Sequence, residues 1–508
     1  MANALSVSPA LILVFALLVY APPLRTWFSL PTSLLCWPLA SISSQHGVEA
    51  HRAISGFGPQ QNRGWDVRDF LGGIGPWDSN ADAVEEASRP PPGCEVEQVH
   101  MISRHAERYP TAKAGARILK LLARVKDAGV SVAGELAFVR DWQFISADPG
   151  RDFEQLTRTG PYAGTLAAFS TGVRLRTRYA KLLGAHDGPN GPTSLSLWAS
   201  GSQRVVDTAK YFAAGLLGLD WENRATLHVI PETADRGADT LTPGKTCALY
   251  NNDTERGREQ GYAKLAAFID AHLPHVSARL EKLVRHKVTG KPLKLDNADV
   301  YAMYELCGFE ILARGDSPWC KLFTTDEWTH FAYARDLLHY YRAGPGTPYS
   351  FAMGALYLNA TARLLLRGSE AGRLFFTFVH DGDIAPVLSA LHILHDEQPL
   401  PTTHVEPNRK WTTSRVMPMG GRVIFERILC PARGGTAASA PFVRINVNDG
   451  VVRIPGCDSG AALCPLDDFV ARTRRFQEEA GEFKAVCGLS DEAPDRITFL
   501  EQVPLSMT

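Results

Sequence analysis

The chain has 508 residues, of which 45% are hydrophobic and 21% are charged, a composition typical of a globular protein with a large core. Its 53 lysines and arginines nearly balance its 54 aspartates and glutamates. The overall charge therefore excludes general attraction to nucleic acid or to an anionic membrane, and any affinity for anions must come from local clusters of basic residues. The length predicts two or three domain-sized units of roughly 100 to 200 residues each.

The first 43 residues predict a segment for export. Residues 1–24 carry no charged side chain, and nearly every residue of Pro9–Ala21 is apolar. This run has the length of a signal peptide's hydrophobic region and is short for a membrane span of about 20 residues. Cleavage is expected near Ala21 or near Ser43. The alternative is an uncleaved signal anchor, because a second apolar patch follows at Trp27–Leu39.

Residues 44–93 predict an irregular arm rather than a folded domain. They are rich in glycine, proline, asparagine and aspartate, as in Gly72–Pro76. Such residues favour turns and interrupt helices and strands, so regular structure is expected to begin after this arm.

The next predicted strand, Val96–Ile102, leads into a loop with Arg104, His105 and Arg108. Arginine offers a fixed fork of donors that can engage two oxygens together, so two guanidinium groups beside an imidazole suit an oxyanion such as phosphate. The histidine can then serve as a nucleophile or as an acid and base. The other interpretation of these residues is a solvated turn in which Glu107 pairs with an arginine.

Two further predicted strands end in the same manner. The strand at 194–198 leads to Arg204, and the strand at 374–379 leads to His380 and Asp381. The latter strand is a continuous apolar run, typical of a central parallel strand covered on both faces. Ligands bind outside the carboxyl ends of strands in open α/β sheets, so the three loops are expected to converge.

The remaining segments predict helices and late strands, with no internal repeat. Helices are predicted at Ala112–Lys126, Leu156–Leu183 with an early interruption at Gly160–Pro161, Val205–Leu217, Gly261–His286 as one long helix, Asp296–Tyr341, Ala352–Leu366, and Ile384–Leu394 with Asp383 as its N-cap. Strands are predicted from Leu227, at Val423–Ile428 and at Phe442–Ile454, the last broken by the turn Asn448–Gly450.

Cysteine usage indicates an oxidising compartment. Of nine cysteines, Cys36 lies in the segment expected to be removed. The other eight suffice for four disulfides, and none forms a C-x-x-C pair, so no zinc site is expected. They are Cys94, Cys247, Cys307, Cys320, Cys430, Cys457, Cys464 and Cys487. Two acceptor triplets, beginning at Asn252 and Asn359, predict N-glycosylation.

The loops resemble the signatures of a known enzyme family. Cys94–Ile102 followed by Arg104–Pro110 resembles the R-H-G-x-R-x-P signature of the histidine acid phosphatase family, in the form found in fungal secreted acid phosphatases and phytases. His380 and Asp381 resemble its second signature. Ser200–Val205 resembles the segment with its third phosphate-binding arginine.

The resemblance implies a role for each matching residue. His105 would be the nucleophile that forms a phosphohistidine, and Asp381 would protonate the leaving alcohol. The groups around the phosphate would be Arg104, Arg108, Arg204 and His380. The partner would be a small-molecule phosphate monoester, and neither a metal nor another cofactor is implied.

The resemblance extends from about residue 72 to residue 488 and implies a fold. The expected architecture is a large α/β domain with a central, mainly parallel sheet flanked by helices. A smaller helical subdomain would be formed by insertions within about 112–340, the catalytic domain as a whole spanning 94–508. By the same resemblance the disulfides would join Cys94 to Cys430, Cys247 to Cys487, Cys307 to Cys320 and Cys457 to Cys464.

Position 106 departs from the family signature, because it holds alanine where the family has glycine. Glycine often marks a close backbone approach or a positive φ angle. If the fold needs either, Ala106 would cost roughly 1 kcal/mol of strain or crowd the phosphate. Alanine is the smallest replacement, so retained activity is expected.

The function predicted is an exported acid phosphatase for phosphate monoesters, phytate included. An acidic optimum is expected because Asp381 must be protonated and His380 cationic, whereas His105 must be neutral. Two other interpretations are a secreted glycoprotein that binds phosphate without turnover and a phosphotransferase like phosphoglycerate mutase. The expected location is extracellular or the cell wall, or a membrane surface if the leader stays attached.

Overall fold

The structure is a computed structural model that describes residues 65–77, 89–186, 195–431, 439–457 and 462–501. The predicted leader, residues 1–43, lies outside these ranges, as does most of the predicted arm at 44–93. Within the described ranges, none of the helices has the length and apolar character needed to cross a bilayer.

A mixed sheet of eight strands forms the centre of the protein, in the order β10-β8-β7-β1-β6-β3-β4, with β9 paired to β8. Its strands are β1 (Glu95–Arg104), β3 (Leu195–Ser200), β4 (Ala225–Ile230), β6 (Leu374–Val379), β7 (Arg422–Pro431), β8 (Ser439–Val447), β9 (Gly450–Val452) and β10 (Cys464–Pro465). Strands β1, β6, β3 and β4 are parallel neighbours, and the remaining pairs are antiparallel. The predicted α/β class with parallel central strands is confirmed.

The central strands are buried on both faces because every residue of β3 and β6 is apolar or small enough to pack. On one face, the Phe212 ring contacts Phe376 and Phe378 with centroids 5.1 Å apart in each pair. On the other face, Trp198 stacks on Phe375. Continuous apolar side chains thus hold helices against both faces of the sheet, as parallel strands require.

Helices flank the sheet and fill the long connections between its strands. The longer ones are Ala112–Val125, Gly164–Arg178, Ala180–His186, Gln203–Leu217, Arg258–His272, Pro274–Glu281, Asn297–Arg314, Thr325–Arg342, Tyr349–Arg367, Asp381–Ala390 and Leu466–Ala480. Short helices lie at Pro149–Asp152, Pro243–Thr246, Ala248–Asn252, Thr413–Val416 and Phe483–Cys487. Two further strands, β2 (Val130–Val132) and β5 (Val284–His286), form a separate antiparallel pair.

Three helix predictions are corrected by the structure. The single long helix predicted at Gly261–His286 ends at His272, a second helix starts at Pro274, and the last residues form β5. Proline lacks the N–H that would continue a helix, but it fits a first turn. The helix predicted at 156–183 begins only after its predicted interruption at Gly160–Pro161, at residue 164. The helix predicted at 296–341 divides at Gly315, which has a φ of 93°.

A second buried cluster lies among the helices of the long insertion after β1, separate from the two clusters on the sheet. Its largest fully buried side chains include Trp319, Trp328 and Tyr304. The disulfide Cys307–Cys320 lies within it. The other three disulfides join Cys94 to Cys430, Cys247 to Cys487 and Cys457 to Cys464. These are the four pairs that the family resemblance implies.

Candidate active site

The carboxyl ends of four parallel strands deliver polar side chains to one edge of the sheet. Arg104 in β1 lies opposite Val379 in β6, and Ser200 in β3 lies opposite Ile230 in β4. The loops that follow these strands therefore begin at the same level, and they surround a cavity of about 350 Å³. Predicted site residues that line it are His105, Arg108, Arg204, His380 and Asp381.

His105 is held in one orientation by its own loop. Its backbone N–H donates to Val379 O at 2.9 Å, and its carbonyl accepts from the Gly420 N–H at 2.9 Å. Its Nδ1 lies 2.8 Å from Ala106 O. A carbonyl only accepts, so Nδ1 carries the proton and Nε2 keeps a lone pair. Burial and the charge of Arg104 hold the pKa of His105 well below 6.5, so the ring is neutral.

Arg104 occupies a different place from the other predicted phosphate ligands. It is buried and does not line the cavity. Its Nη1 donates to Gly73 O at 2.6 Å and to Met417 O at 2.8 Å, and its Nη2 donates to Asp381 Oδ2 at 2.9 Å. Arg104 therefore connects the segment before β1 to the carboxylate at the cavity.

Arg108 and Arg204 bring guanidinium groups to the cavity wall. Arg108 Nη1 donates to Tyr109 O at 2.8 Å, and Arg204 Nη1 donates to Glu154 Oε2 at 3.1 Å. Within the described part of the chain, the buried Nε atoms of both arginines make no hydrogen bond. Buried donors without partners are unfavourable, and several of them around one cavity suit an oxyanion. Burial lowers the pKa of Arg108 to about 9, so it remains a cation at neutral pH.

The surroundings of Asp381 favour its ionised form, which differs from the protonated form expected for a proton donor. Its Oδ2 accepts from Arg104, and its Oδ1 lies 3.4 Å from Arg342 Nη2. Burial alone would raise the pKa of Asp381, but the charges of Arg104 and Arg342 outweigh burial and hold the pKa well below 3.8. Protonation of this carboxyl therefore requires added negative charge nearby.

Burial lowers the pKa of His380 below 6.5, which favours the neutral ring over the cationic form expected from the sequence. Its Nδ1 lies 3.3 Å from Arg204 Nη2, and its Nε2 lies 2.9 Å from Glu232 Oε1. His380 also forms the N-cap of the helix Asp381–Ala390. The prediction that Asp383 is the N-cap is wrong by three positions: Asp383 is the third helical residue, and its Oδ2 accepts the His380 N–H at 3.0 Å.

Five acidic or basic residues that line the cavity were missed by the sequence reasoning, and they are Glu154, Glu232, Lys245, Arg258 and Arg342. Glu232 follows β4, Arg342 ends the helix Thr325–Arg342, and Glu154 pairs with Arg204. Glu232 had a usable signal, because it follows a fourth strand just as Arg204 follows the third. Arg342 had none, because a basic residue in the last turn of a helix is common. Gly382 leaves room for Arg342, since an added Cβ would lie 3.1 Å from its Nη2.

Ala106 is accommodated without strain. Its φ is not in the positive range that favours glycine. Its side chain packs with Leu156 and Ala168 in a small buried cluster and does not line the cavity of His105. Its N–H donates to Thr208 Oγ1 at 3.0 Å. The extra methyl therefore neither twists the loop nor crowds the anion site.

The segment before β1 completes the signature loop. The Trp77 N–H donates to Glu107 Oε1 at 2.9 Å, and the Trp77 ring lies between the guanidinium groups of Arg174 and Arg422, at 4.1 and 4.3 Å from its centroid. Glu107 is buried, so it does not form the solvated ion pair of the alternative interpretation. Burial raises its pKa to about 7.

The two predicted glycosylation sites differ in accessibility. Asn252 is exposed at the end of a short helix. Asn359 is half-buried in the helix Tyr349–Arg367, where its amide donates to Gln477 Oε1 at 2.7 Å. Asn252 is therefore the more accessible acceptor in the folded protein.

Comparison with known proteins gives these residues a family context. The sequence profile of the histidine phosphatase superfamily (branch 2) matches residues 95–448. A phytase of Candida albicans is 31% identical over 443 residues, which are 86% of this chain and 90% of that protein. An acid phosphatase of Komagataella pastoris is 30% identical over 472 residues, which are 90% of this chain and 94% of that protein.

Solved structures agree with the sequence matches. The phytase of D. castellii superposes with a TM-score of 0.76 at 28% identity, over 89% of this chain and 94% of that one. A multiple inositol polyphosphate phosphatase of Bifidobacterium longum shares the fold, with a TM-score of 0.60 at 16% identity, over 78% of this chain and 96% of that one. From its profile match, its relatives and its fold, the chain belongs to the histidine phosphatase superfamily (branch 2).

Proposed function

We propose that this protein is an acid phosphatase that hydrolyses phosphate monoesters, phytate included, through a phosphohistidine intermediate. The observation that carries the proposal is the state of His105: a neutral ring, with its proton held on Nδ1 by Ala106 O, in a cavity lined by guanidinium groups. Nε2 then has the free lone pair that a nucleophile needs. The relatives named as acid phosphatases and phytases support the same activity.

Each half of the reaction uses groups at the cavity. Nε2 of His105 attacks phosphorus, the bond from phosphorus to the ester oxygen breaks, and the leaving alcohol takes a proton from Asp381. Arg104, Arg108 and Arg204 stabilise the charge on the equatorial oxygens, with His380 beside them. Water then attacks the phosphohistidine, Asp381 accepts its proton, and inorganic phosphate and neutral His105 are released.

Acid pH favours this cycle because Asp381 has to carry the proton. A bound phosphate places negative charge beside Asp381 and raises its pKa, which Arg104 and Arg342 otherwise hold well below 3.8. His105 stays neutral in the same range, because its pKa lies well below 6.5. Activity is therefore expected to fall as the pH rises through neutrality.

Additional cations support a substrate with several phosphates. Lys245, Arg258 and Arg342 line the same cavity as His105, and Tyr250 and Tyr262 lie among them. One phosphate needs only some of these charges, so the others remain available for neighbouring phosphates on one ring. Phytate fits this arrangement.

The four disulfides indicate an oxidising compartment, so the proposal includes an extracellular or cell-wall location, a cleaved leader and a glycan at Asn252. Residues 94–508 are proposed as the catalytic domain, with its helical insertion within about 112–340. The catalytic roles of His105 and Asp381 are likewise part of the proposal.

The test compares the wild type with His105→Ala on p-nitrophenyl phosphate and phytate. Wild type is expected to release phosphate from both and to form a phosphoenzyme that is stable in base and labile in acid. His105→Ala should lose both properties, whereas His286→Ala, a change at an exposed residue of β5, should keep them. Phosphate binding without turnover in wild type would contradict the proposal and favour the non-catalytic alternative.

A further inference from the structure

Glu232 is fixed at the cavity by three hydrogen bonds to one oxygen. Its Oε1 accepts from Ser200 Oγ at 2.9 Å, from the Ser202 N–H at 3.1 Å and from His380 Nε2 at 2.9 Å. The first two partners anchor the carboxylate to the end of β3 and to the start of the next helix. The third partner makes Glu232 the acceptor that orients the His380 ring.

These contacts define the tautomer of His380. Its Nδ1 lies 3.3 Å from Arg204 Nη2, and a guanidinium group only donates hydrogen bonds. Nδ1 therefore accepts from Arg204, and the ring proton resides on Nε2, where it is donated to Glu232. In this state neither ring nitrogen has a proton to offer a phosphate oxygen.

Phosphate binding changes the hydrogen-bond partner of His380 Nδ1. A phosphate oxygen that takes over the Arg204 donor meets the lone pair of Nδ1, and two acceptors in contact repel each other. The monoanion of a phosphate ester carries an acidic O–H. Transfer of that proton to Nδ1 leaves a dianionic ester and an imidazolium ring, and charge is conserved.

We propose that Glu232 is a positioning residue that makes this proton transfer favourable, because its carboxylate lies against the imidazolium ring that forms on His380. The inference rests on the proposed phosphatase function. Glu232 touches neither the phosphate nor the reacting atoms in this scheme, and it acts through His380. The positive ring of His380 then lies between two negative groups, the Glu232 carboxylate at Nε2 and the phosphate at Nδ1.

The other charged groups around His380 set the sign of the effect. Burial and Arg204 lower the pKa of His380, Glu232 opposes them, and Asp381 opposes them less. Asp383 faces the His380 backbone, and the His105 ring lies 5.7 Å away, centroid to centroid. Removing the charge of Glu232 therefore lowers the pKa of His380, and binding that needs the imidazolium form shifts to lower pH.

The first experiment measures the pH dependence of kcat/KM for Glu232→Gln. Glutamine keeps an acceptor for Nε2 but removes the charge. Activity requires a protonated Asp381 and a cationic His380, and loss of the Glu232 charge makes His380 the group that deprotonates first and sets the alkaline limb. An opposite charge within hydrogen-bond distance changes a pKa by about 1 to 3, so the limb is expected to move toward acid, with roughly a tenfold loss of kcat/KM above it. Glu222→Gln, at an exposed residue, is the matched control and should leave the profile in place.

A double-mutant cycle assigns the effect to His380. In the His380→Asn background, Glu232→Gln should change kcat/KM less than about twofold, because the group on which Glu232 acts is gone. An equal loss in both backgrounds would overturn the proposal, as would an unmoved limb in the single variant. If Glu232→Gln does not fold, Glu232→Asp, which keeps the charge at a longer distance, should show an intermediate shift.

A binding experiment separates this inference from the proposed function. Sulfate is a tetrahedral dianion without a proton of its own at pH 6, so its binding should draw a proton from solvent to His380. Calorimetry in buffers of different ionisation enthalpy measures that uptake. Uptake should fall in Glu232→Gln and in His380→Asn alike, and equal uptake in wild type and Glu232→Gln would overturn the inference. Proton uptake on sulfate binding tests the role of Glu232 whether or not the wild type hydrolyses esters. Absence of turnover would contradict only the proposed function.

Discussion

Gly164→Ala is expected to move the catalytic loop, although Gly164 touches no ligand. The first turn of the helix Gly164–Arg178 packs directly on the signature loop, and a Cβ at this position would lie 2.8 Å from the carbonyl carbon of Glu107 and closer still to its oxygen. Ordinary contact between carbon atoms requires about 3.5 to 4.0 Å, so the carbonyl carbon alone requires the loop to move by at least roughly 0.7 to 1.2 Å. A rotamer change cannot relieve this contact, because the position of the Cβ and that of the Glu107 carbonyl are both fixed by the backbone.

Two magnitudes follow from that displacement. A misplacement of about 1 Å at a catalytic group lowers kcat by roughly 100-fold, and overpacking of a buried contact costs about 1 to 3 kcal/mol of unfolding free energy. The assays are phosphate release from p-nitrophenyl phosphate and denaturant unfolding. Gly184→Ala is the control: its Cβ would meet nothing within 4 Å, and in an exposed helix it should stabilise by about 0.5 to 1 kcal/mol. A kcat within threefold of wild type for a folded Gly164→Ala would refute the reasoning.

Three other changes test individual side chains. Asp381→Asn should lower kcat on glycerol 2-phosphate by roughly 100- to 10,000-fold. The loss should be much smaller on p-nitrophenyl phosphate, because nitrophenolate leaves without a proton. Equal losses on both esters would contradict the role of Asp381 as the acid. Ala106→Gly should leave kcat within about threefold and lower unfolding free energy by about 1 to 2 kcal/mol, through lost burial and added chain entropy, as thermal unfolding will measure. Burial raises the pKa of Glu107 from 4.5 to about 7, so the folded protein binds a proton on this residue more tightly than the unfolded chain does. The contribution of Glu107 to the unfolding free energy is therefore complete below pH 4.5 and falls by about 3 kcal/mol as the pH rises to 7. Glu107→Gln should remove that part of the decline, and identical pH dependence of unfolding in both proteins would show that the residue does not titrate in this range.

The sequence was most informative where one local rule decides the outcome. Strand β6 could be predicted from a run in which five of six residues are apolar, and its carboxyl end identified His380 and Asp381 as site candidates. The convergence of three loops followed from the rule that parallel strands present their carboxyl ends at one edge. The cysteine pairs came from family resemblance alone, because spacing does not determine connectivity.

The sequence was least informative about interactions between distant segments. Arg342 reaches Asp381 from a helix 39 positions earlier in the chain, and only the packing of that helix brings them together. The protonation states of the site residues could not be predicted from the sequence either. Asp381 was expected to be protonated, but its pKa depends on two guanidinium groups and on burial, none of which is visible in its own segment. The strain suspected at Ala106 is absent for the same reason, because φ and the neighbours of its methyl depend on the whole loop.

The segment that supports Arg104 has a consequence for how the protein is made. Arg104 donates both to Gly73 O, which is synthesised before β1, and to Met417 O, which is synthesised more than 300 residues later. The contact between Trp77 and Arg422 likewise joins the two segments. The catalytic loop therefore cannot reach its final form on the ribosome until nearly the entire chain has emerged. The bond between Cys94 and Cys430, which are 336 positions apart, imposes the same delay. Any proteolytic trimming of the amino terminus must therefore stop upstream of Gly73 to leave the support of Arg104 in place.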